Sequence, residues 1–140
     1  MRSPTIAAAI ALVITGLVAS AHAEERGKSA TSIEVVKEQL EAYNARDLDR
    51  FAAAYADDVR IYRMPATEPA TVGKAQLREV YAKRFSSSPA LHADIVNRIV
   101  LGNKVIDHER VMGIRETPIE VVAVYQVEGG LIRTVWFCPP

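Results

Sequence analysis

The sequence predicts an α+β fold in which three N-terminal helices pack in the concave face of a curved, mainly antiparallel sheet. Two observations favour this class. Before Ser86, apolar residues recur at helical spacing in three segments, with one short strand-like run among them. After Pro89 the remaining segments are strand-like and are separated by tight-turn signals. Helices followed by a block of strands are typical of a domain whose sheet curls over its helices.

Apolar stripes and capping residues predict the limits of the three helices. The first helix runs from a candidate N-cap at Ser32 to about Ala45, with a stripe formed by Ile33, Val36, Leu40 and Tyr43. Asp47 is a candidate N-cap for a second helix, LDRFAAAYA, whose buried stripe is Leu48, Phe51 and Tyr55. A short strand over residues 59–64 and a Pro- and Thr-rich loop precede a third helix over residues 74–86.

Two glycine-containing turns predict the pairing of the later strands. A two-residue turn at Gly102-Asn103 pairs Arg98 with Asp107 and Asn97 with His108. Strand alternation then assigns alternate residues to opposite faces of the sheet. We expect the face that carries His108 and Arg110 to point inward, because it also carries Ile95, Asn97, Ile99, Ile106 and Met112. Asp107 and Glu109 then stabilise the sheet from its outer face, where Asp107 pairs with Arg98.

A second turn at Gly129-Gly130 predicts a hairpin with two apolar faces. It pairs Val127 with Ile132, Tyr125 with Thr134, and Ala123 with Trp136. The helices would cover one of these faces. A homodimer formed through the sheet would cover the other.

The N-terminus has the three parts of a secretory signal peptide. A positive charge at Arg2 precedes an apolar run from Ile6 to Ala19, and Ala21-His22-Ala23 is a small-x-small cleavage site. The run is shorter than the roughly 20 residues needed to span a bilayer. We therefore expect cleavage after Ala23, a secreted or periplasmic protein without stable membrane insertion, and a disordered lead over residues 24–31.

Charge and cysteine content exclude several classes of function. Loss of residues 1–23 removes one of the 17 basic residues and none of the 17 acidic ones, so the mature chain is nearly neutral. A balanced charge is not typical of a protein that binds nucleic acid. The only cysteine, Cys138, cannot form an internal disulfide and is expected to be a small apolar strand residue. Neither a metal site nor a cofactor is predicted.

Three motifs carry a resemblance to a known family. They are NARDLD at Asn44–Asp49, ADD at Ala56–Asp58 and VGKAQLREVY at Val72–Tyr81. With the surrounding segment EAYNARDLDRFAAAYADDVRIY, they resemble the nuclear transport factor 2-like superfamily, the cone-shaped fold of ketosteroid isomerase, scytalone dehydratase and SnoaL-like polyketide cyclases. The resemblance covers residues 32–138 and implies a single domain. It indicates the fold far more strongly than the chemistry.

The resemblance also implies that the ketosteroid isomerase mechanism is absent. That mechanism requires a carboxylate base on the first strand and an oxyanion hole formed by a helix tyrosine and a protonated strand aspartate. The base position falls here on Arg63 or Met64, the helix tyrosine on Gln39, and the strand aspartate near Ala123. Only Tyr81, which matches a supporting tyrosine on the third helix, is retained.

A different pocket is nevertheless predicted inside the cone. His108, Arg110 and Tyr81 are candidate catalytic residues, because a histidine titrates near neutral pH and the other two could stabilise an oxyanion. An inward Arg110 would meet an anionic group on a ligand, reach a carboxylate such as Glu68, Glu116 or Glu120, or reach the rim of the cone. The candidate ligand-binding residues are Gln39, Tyr43, Tyr62, Met64, Tyr81, Asn97, His108, Arg110, Met112 and Trp136.

Three functions are compatible with these patterns. The favoured one is an exported module that binds a small apolar or aromatic ligand in its cone without chemistry, since the familiar catalytic positions are apolar or amide residues. The second is a cyclase, dehydratase or isomerase with His108 as acid and base. The third is a protein-association module that uses the outer face of the sheet.

Overall fold

A computed structural model describes residues 31–140, and all structural statements below refer to that part of the chain. The predicted signal peptide, residues 1–23, lies outside the described residues and stays a prediction. The same holds for the predicted disordered lead, except for its last residue. Thr31 is already helical, so the expectation that Ser32 is the N-cap of the first helix is wrong.

The described chain contains three helices, close to their predicted limits. Helix α1 covers residues 31–45, α2 covers Leu48–Ala53 and α3 covers Gly73–Ser87. Asp47 caps α2 as predicted, because its carboxylate accepts a hydrogen bond from the Arg50 backbone N–H at 3.1 Å. Helix α2 is shorter than predicted, since Tyr55 belongs to the following strand and not to the helical stripe.

Six strands form one sheet. They are β1 (Tyr55–Arg63), β2 (Thr71–Val72), β3 (His92–Leu101), β4 (Lys104–Met112), β5 (Ile119–Glu128) and β6 (Leu131–Cys138). Their order across the sheet is β2-β1-β6-β5-β4-β3. Only β1 and β6 are parallel neighbours, and every other pair is antiparallel. The predicted α+β class, with helices against a curved and mainly antiparallel sheet, is confirmed.

An aromatic cluster joins the helices to each other over the sheet. It consists of four rings, from Tyr43, Phe51, Tyr81 and Phe85, and all six pairs of centroids lie 4.3–6.3 Å apart. Tilted and edge-to-face contacts of this kind add to the stabilisation from apolar burial. The cluster continues into the sheet through Tyr55, whose ring centroid lies 5.0 Å from that of Phe51.

The end of α1 is tied to the start of β3 by side-chain hydrogen bonds. The Asn44 amide accepts from the Ala93 backbone N–H at 2.8 Å and donates to the Ala93 carbonyl at 3.0 Å. Arg46, which has a positive φ of 54°, donates to the Leu91 carbonyl at 3.0 Å. The NARD segment at the end of α1 therefore fixes this helix against a strand nearly 50 residues away in the sequence.

The pairing of β3 with β4 is confirmed near the turn, but the predicted faces are inverted. Arg98 pairs with Asp107 and Asn97 with His108, as expected. Between Ile95 and Asn97 the register shifts by one residue, so Ile95 lies opposite Glu109 and no longer shares a face with Asn97. Asp107 and Glu109 face the helices and are 1% and 7% exposed, whereas His108 and Arg110 lie on the outer face.

A register shift also corrects the pairing of β5 with β6. Val127 pairs with Ile132 as predicted, but an irregularity next to it places Tyr125 opposite Val135 and Ala123 opposite Phe137. The predicted pairs of Tyr125 with Thr134 and of Ala123 with Trp136 are therefore wrong. Trp136 pairs with Val124 on the outer face, where its ring stacks on Tyr62 at 6.0 Å. The predicted homodimer stays a prediction.

Gly113 is expected to tolerate no side chain. Its φ is +82°, and a Cβ at this position would lie 2.3 Å from the Ala90 carbonyl oxygen. We predict that Gly113→Ala lowers the free energy of unfolding by about 2–4 kcal/mol, because left-handed strain adds to a clash with backbone. Thermal or urea unfolding measures this loss.

Gly129→Ala is the matched control. Gly129 also has a positive φ, 59°, but nothing lies within 4 Å of the point that its Cβ would occupy. Strain alone should cost about 1–2 kcal/mol. Equal losses in the two variants would contradict a close approach of Gly113 to Ala90.

Candidate functional site

A cavity of about 650 Å³ lies between the helices and the concave face of the sheet. Residues of α1, of α3, of several strands and of the loop that follows β4 line the cavity. The residues used below are Gln39, Tyr43, Arg63, Tyr81, Arg84, Glu109, Arg115 and Tyr125. A volume of this size accommodates a small molecule of a few rings.

Helical spacing explains why α1 and α3 present polar groups to this cavity. Gln39 and Tyr43 lie one turn apart on α1, and Tyr81 and Arg84 lie one turn apart on α3. The side chain of Gln39 is buried and opposes the rise in the pKa of Tyr55. The charge of Arg84 opposes the rise in the pKa of Tyr43. The two helices therefore contribute both polar and aromatic side chains to the lining of the cavity.

Glu109 is the central titratable group of the cavity. The Tyr125 hydroxyl donates to its Oε1 at 2.6 Å, and this is its one hydrogen bond among the residues that the structure describes. Burial raises the pKa of the Glu109 carboxyl to about 7. The bond from Tyr125 and the charge of Arg98 oppose this increase in pKa, while the negative charge of Asp107 adds to it.

Asp107, two residues before Glu109 on the same face of β4, is paired with a cation. Arg98 donates to both of its carboxylate oxygens, at 2.6 and 2.7 Å. The two-pronged geometry compensates the cost of burying the Asp107 charge. The neighbouring carboxyls thus have different environments: Asp107 is held by a guanidinium, and Glu109 meets a neutral hydroxyl.

The tyrosines around the cavity remain protonated at neutral pH. Burial raises the pKa of Tyr43 to about 12, and it also raises the pKa values of Tyr55, Tyr81 and Tyr125. The negative charge of Glu109 contributes to each of these increases. Their hydroxyls are consequently hydrogen-bond donors and not bases. Together with Glu109 they can donate to a ligand oxygen while the carboxyl accepts or releases a proton.

Three of the predicted ligand-binding residues line the cavity: Gln39, Tyr43 and Tyr81. The other seven, Tyr62, Met64, Asn97, His108, Arg110, Met112 and Trp136, do not line it. The expectation that His108 and Arg110 point into the cone is wrong, because alternation along β4 assigns the inner positions to Asp107 and Glu109. Their predicted roles in catalysis and binding are not tested by this placement and stay predictions.

His108 and Arg110 meet on the outer face at Glu120. Arg110 donates from Nε and Nη2 to Glu120 Oε1 at 3.1 and 2.8 Å, and His108 Nε2 contacts Oε2. The hydrogen bond from Arg110 and, to a smaller extent, that from His108 hold the pKa of the Glu120 carboxyl below its ordinary value. The expectation that Arg110 reaches Glu68, Glu116 or Glu120 is confirmed for Glu120.

Sequence reasoning missed Glu109 and Tyr125 as a pair. Glu109 lies opposite Val121 in the register of β4 and β5, four residues from Tyr125 along the strand. The tyrosine reaches the carboxyl along the concave surface, a contact that strand pairing alone does not predict. The available signal was the sharing of one face by Glu109 with Val105 and Val111, both buried.

Two kinds of feature are absent from the described residues. In residues 31–140, no helix is long and apolar enough to cross a membrane. The same part of the chain contains no group of three or more His, Cys, Asp or Glu side chains that could hold a metal ion.

Comparison with known proteins supports the fold. The family model of the SnoaL-like domain matches residues 36–135. An uncharacterised cystatin-fold protein from Novosphingobium aromaticivorans is 29% identical, with a TM-score of 0.70 over 76% of this chain and 96% of that one. No curated protein matches the chain.

Two more distant structures share the fold. An LEH-like epoxide hydrolase from M. tuberculosis has a TM-score of 0.70 at 17% identity and covers 80% of this chain and 84% of its own. A SnoaL-like protein of unknown function from Burkholderia thailandensis has a TM-score of 0.66 at 21% identity, over 79% of this chain and 95% of its own. At these identities the likeness concerns the fold alone.

The raised pKa of Glu109 predicts a pH-dependent loss of stability. Its folded pKa, about 7, exceeds the ordinary value of 4.5, so its contribution is fully present below pH 4.5 and is lost as the pH rises through about 7. Glu109→Gln removes this dependence. We expect the variant to gain about 3 kcal/mol relative to the wild type between pH 4.5 and pH 8, as measured by urea unfolding at a series of pH values. A constant difference across that range would contradict a buried, titrating Glu109.

Removal of Arg98 is predicted to destabilise the fold through Asp107. Arg98→Ala leaves a carboxylate that is 1% exposed without its guanidinium, which should cost about 3–5 kcal/mol in unfolding free energy. Arg133→Ala breaks two exposed pairs, with Asp58 and Glu128, and should cost about 1 kcal/mol or less. If the two losses measured by chemical unfolding are the same, Arg98 does not compensate a buried charge.

Proposed function

Because the chain belongs to the SnoaL-like domain family, we propose that its cavity binds a small, largely apolar molecule and that Glu109 exchanges a proton with it. The reaction would be of the isomerase or lyase type. It would use a glutamate on β4 in place of the first-strand base that the ketosteroid isomerase mechanism requires.

The observation that carries this proposal is the environment of Glu109. Its carboxyl is buried, opens onto the cavity and has a pKa of about 7. A carboxyl with that pKa is present in both protonation states at neutral pH, so it can take a proton and return it in one cycle. A raised pKa of a buried acid that faces a cavity is typical of catalytic carboxyls.

The surrounding hydroxyls supply the second requirement of such chemistry. Proton abstraction next to a carbonyl group leaves negative charge on the oxygen, which must be stabilised by donors already in place. Tyr43 and Tyr81 line the same cavity and remain protonated. We assign them the role of donors to the ligand oxygen, and we assign Tyr125 the role of holding the Glu109 carboxyl in position.

This proposal differs from the function that the sequence favoured. A module that only binds an apolar ligand has no use for an acid whose burial weakens the fold above pH 7. The alternative in which His108 acts as acid and base is less compatible with the geometry, since its ring contacts Glu120 on the outer face. An epoxide hydrolase among the solved structures of this fold shows that the fold can hold an active site.

The test follows exchange of carbon-bound hydrogen in a neutral apolar ketone. With 2-tetralone in deuterated buffer, nuclear magnetic resonance measures the rate at which the acidic C–H positions take up deuterium. We expect the wild type to accelerate uptake, with a rate that rises with pH and levels off above about 7 as Glu109 becomes ionised. Glu109→Gln should lose about 100-fold or more of the accelerated rate.

Two further variants make the result specific. Glu79→Gln changes an exposed carboxylate on α3 and should leave the rate unchanged. His108→Asn should also leave it unchanged. A wild-type rate equal to that of Glu109→Gln would contradict the proposal, and loss of exchange in His108→Asn alone would favour the outer-face alternative.

A further inference from the structure

Three arginines line the cavity, and none of them forms an ion pair with a carboxylate in the described part of the chain. They are Arg63 at the end of β1, Arg84 on α3 and Arg115 in the loop after β4. Arg84 is half-buried, while Arg63 and Arg115 are exposed at the mouth. The three side chains come from three separate elements, so the fold brings their positive charges together.

Arginines elsewhere in the described chain contrast with this set. Most of them have a carboxylate partner within 4 Å; these are Arg50, Arg78, Arg98, Arg110 and Arg133. The chain thus pairs most of its other guanidinium groups, both at the surface and inside the sheet. Those at the cavity are left with neutral neighbours.

The neutral neighbours of Arg84 and Arg63 are aromatic. The charge of Arg84 opposes the rise in the pKa of Tyr43, with which it lines the cavity, and the Arg63 guanidinium carbon lies 5.8 Å from the centroid of the Phe137 ring. A planar guanidinium held against an aromatic surface keeps further N–H donors free for a planar anion. Both arginines also act on Tyr81, because their charges oppose the increase in its pKa. Arg84 lies one turn from Tyr81 on α3, and Arg63 lines the same cavity.

The acidic residues of the cavity do not cancel this charge. Glu120 lines the cavity but is already paired with Arg110 and His108. Glu109 is buried beyond the tyrosines and has a raised pKa, so its charge is only partly developed at neutral pH. The cavity is positive at the arginine side and near neutral at the Glu109 side.

We propose that the ligand of this cavity is a flat apolar molecule with a carboxylate at one end, and that Arg84, assisted by Arg63, binds the carboxylate. The inference rests on the proposed function, because it names the class of molecule on which Glu109 acts. The carboxylate supplies the anionic partner that these guanidinium groups lack. A two-pronged arrangement with Arg84 is the geometry that guanidinium and carboxylate groups favour.

Charge also sets the orientation of the bound molecule. An anion next to Glu109 would be repelled whenever that carboxyl ionises, and a carboxylate at the arginines gains attraction. Arg84, Tyr43 and Glu109 all line the cavity, and the charges of Arg84 and Glu109 both act on the pKa of Tyr43, so one ligand beside Tyr43 can contact both charged groups. The end remote from the carboxylate then meets Glu109 and the tyrosine hydroxyls.

A pair of probes of equal shape tests this assignment. Isothermal titration calorimetry compares 2-naphthoate, which is ionised at neutral pH, with the neutral 2-naphthamide. We expect the wild type to bind the carboxylate with a Kd about tenfold lower than that of the amide, because a charge-assisted hydrogen bond distinguishes them. Arg84→Met retains the apolar length of the side chain and should bring the ratio of the two Kd values close to one.

Arg60→Met is the matched control. Arg60 is an exposed arginine on β1 that does not line the cavity, and its replacement removes the same charge. We expect it to leave the ratio near that of the wild type. Equal binding of both probes by the wild type would overturn the inference, and so would an equal loss of selectivity in Arg60→Met. Absence of binding by either probe at millimolar concentration would overturn it as well.

Failure of this inference and failure of the proposed function are distinguishable. Glu109→Gln keeps the arginines, so it should retain the preference for 2-naphthoate while it loses deuterium exchange into 2-tetralone. Selective binding without exchange in the wild type would support the ligand class and contradict the acid–base role. Deuterium exchange without selective binding of 2-naphthoate would support the acid–base role and contradict the ligand class.

Discussion

The structure depends on the burial of two carboxyl groups side by side on the inner face of β4. Burial of a charge is costly unless a partner compensates it, and the two groups meet this requirement in different ways. Asp107 accepts two hydrogen bonds from the guanidinium group of Arg98. Glu109, next to that negative charge and bonded to a neutral hydroxyl, becomes a weak acid that titrates near pH 7. The inner face of the sheet therefore contains one carboxyl that is paired with a guanidinium group and one whose pKa is raised.

The rest of the fold is arranged around this face. Helices α1 and α3 cover it with the aromatic cluster, and the bonds from Asn44 to Ala93 hold α1 over the edge of the sheet. The covering is incomplete, so a cavity remains that is lined by Glu109 and by the unpaired arginines. Burial under the helices is the main cause of the raised pKa of Glu109. The packing of the helices over the sheet thus also determines the pKa of Glu109.

Local patterns predicted the elements well, because helices and turns depend on residues close in sequence. Helices α1 and α3, the cap at Asp47 and both glycine turns lie close to where they were expected, and the pairs of Arg98 with Asp107 and of Asn97 with His108 are confirmed. Errors begin where an extra residue enters a strand. The shift after Ile95 and the shift before Val127 change the partners of every residue beyond them. Neither bulge has a glycine or proline that would mark it in the sequence.

The site was harder to predict than the fold. Valines lie on one side of β4 and Ile106 and Met112 on the other, so apolar content does not decide which side faces the helices. The apolar residues that share a predicted face with His108 and Arg110 wrongly favoured the outer face for Asp107 and Glu109. Their burial is allowed by Arg98 and Tyr125, and Tyr125 lies four residues away in register on the next strand. By itself the sequence determined the class of fold, the family, the helices and the turns, since these follow from periodicity and short-range sterics. Only the tertiary structure decided which acid lies inside, because the free energy of a buried charge depends on partners that the chain brings close only when it is folded.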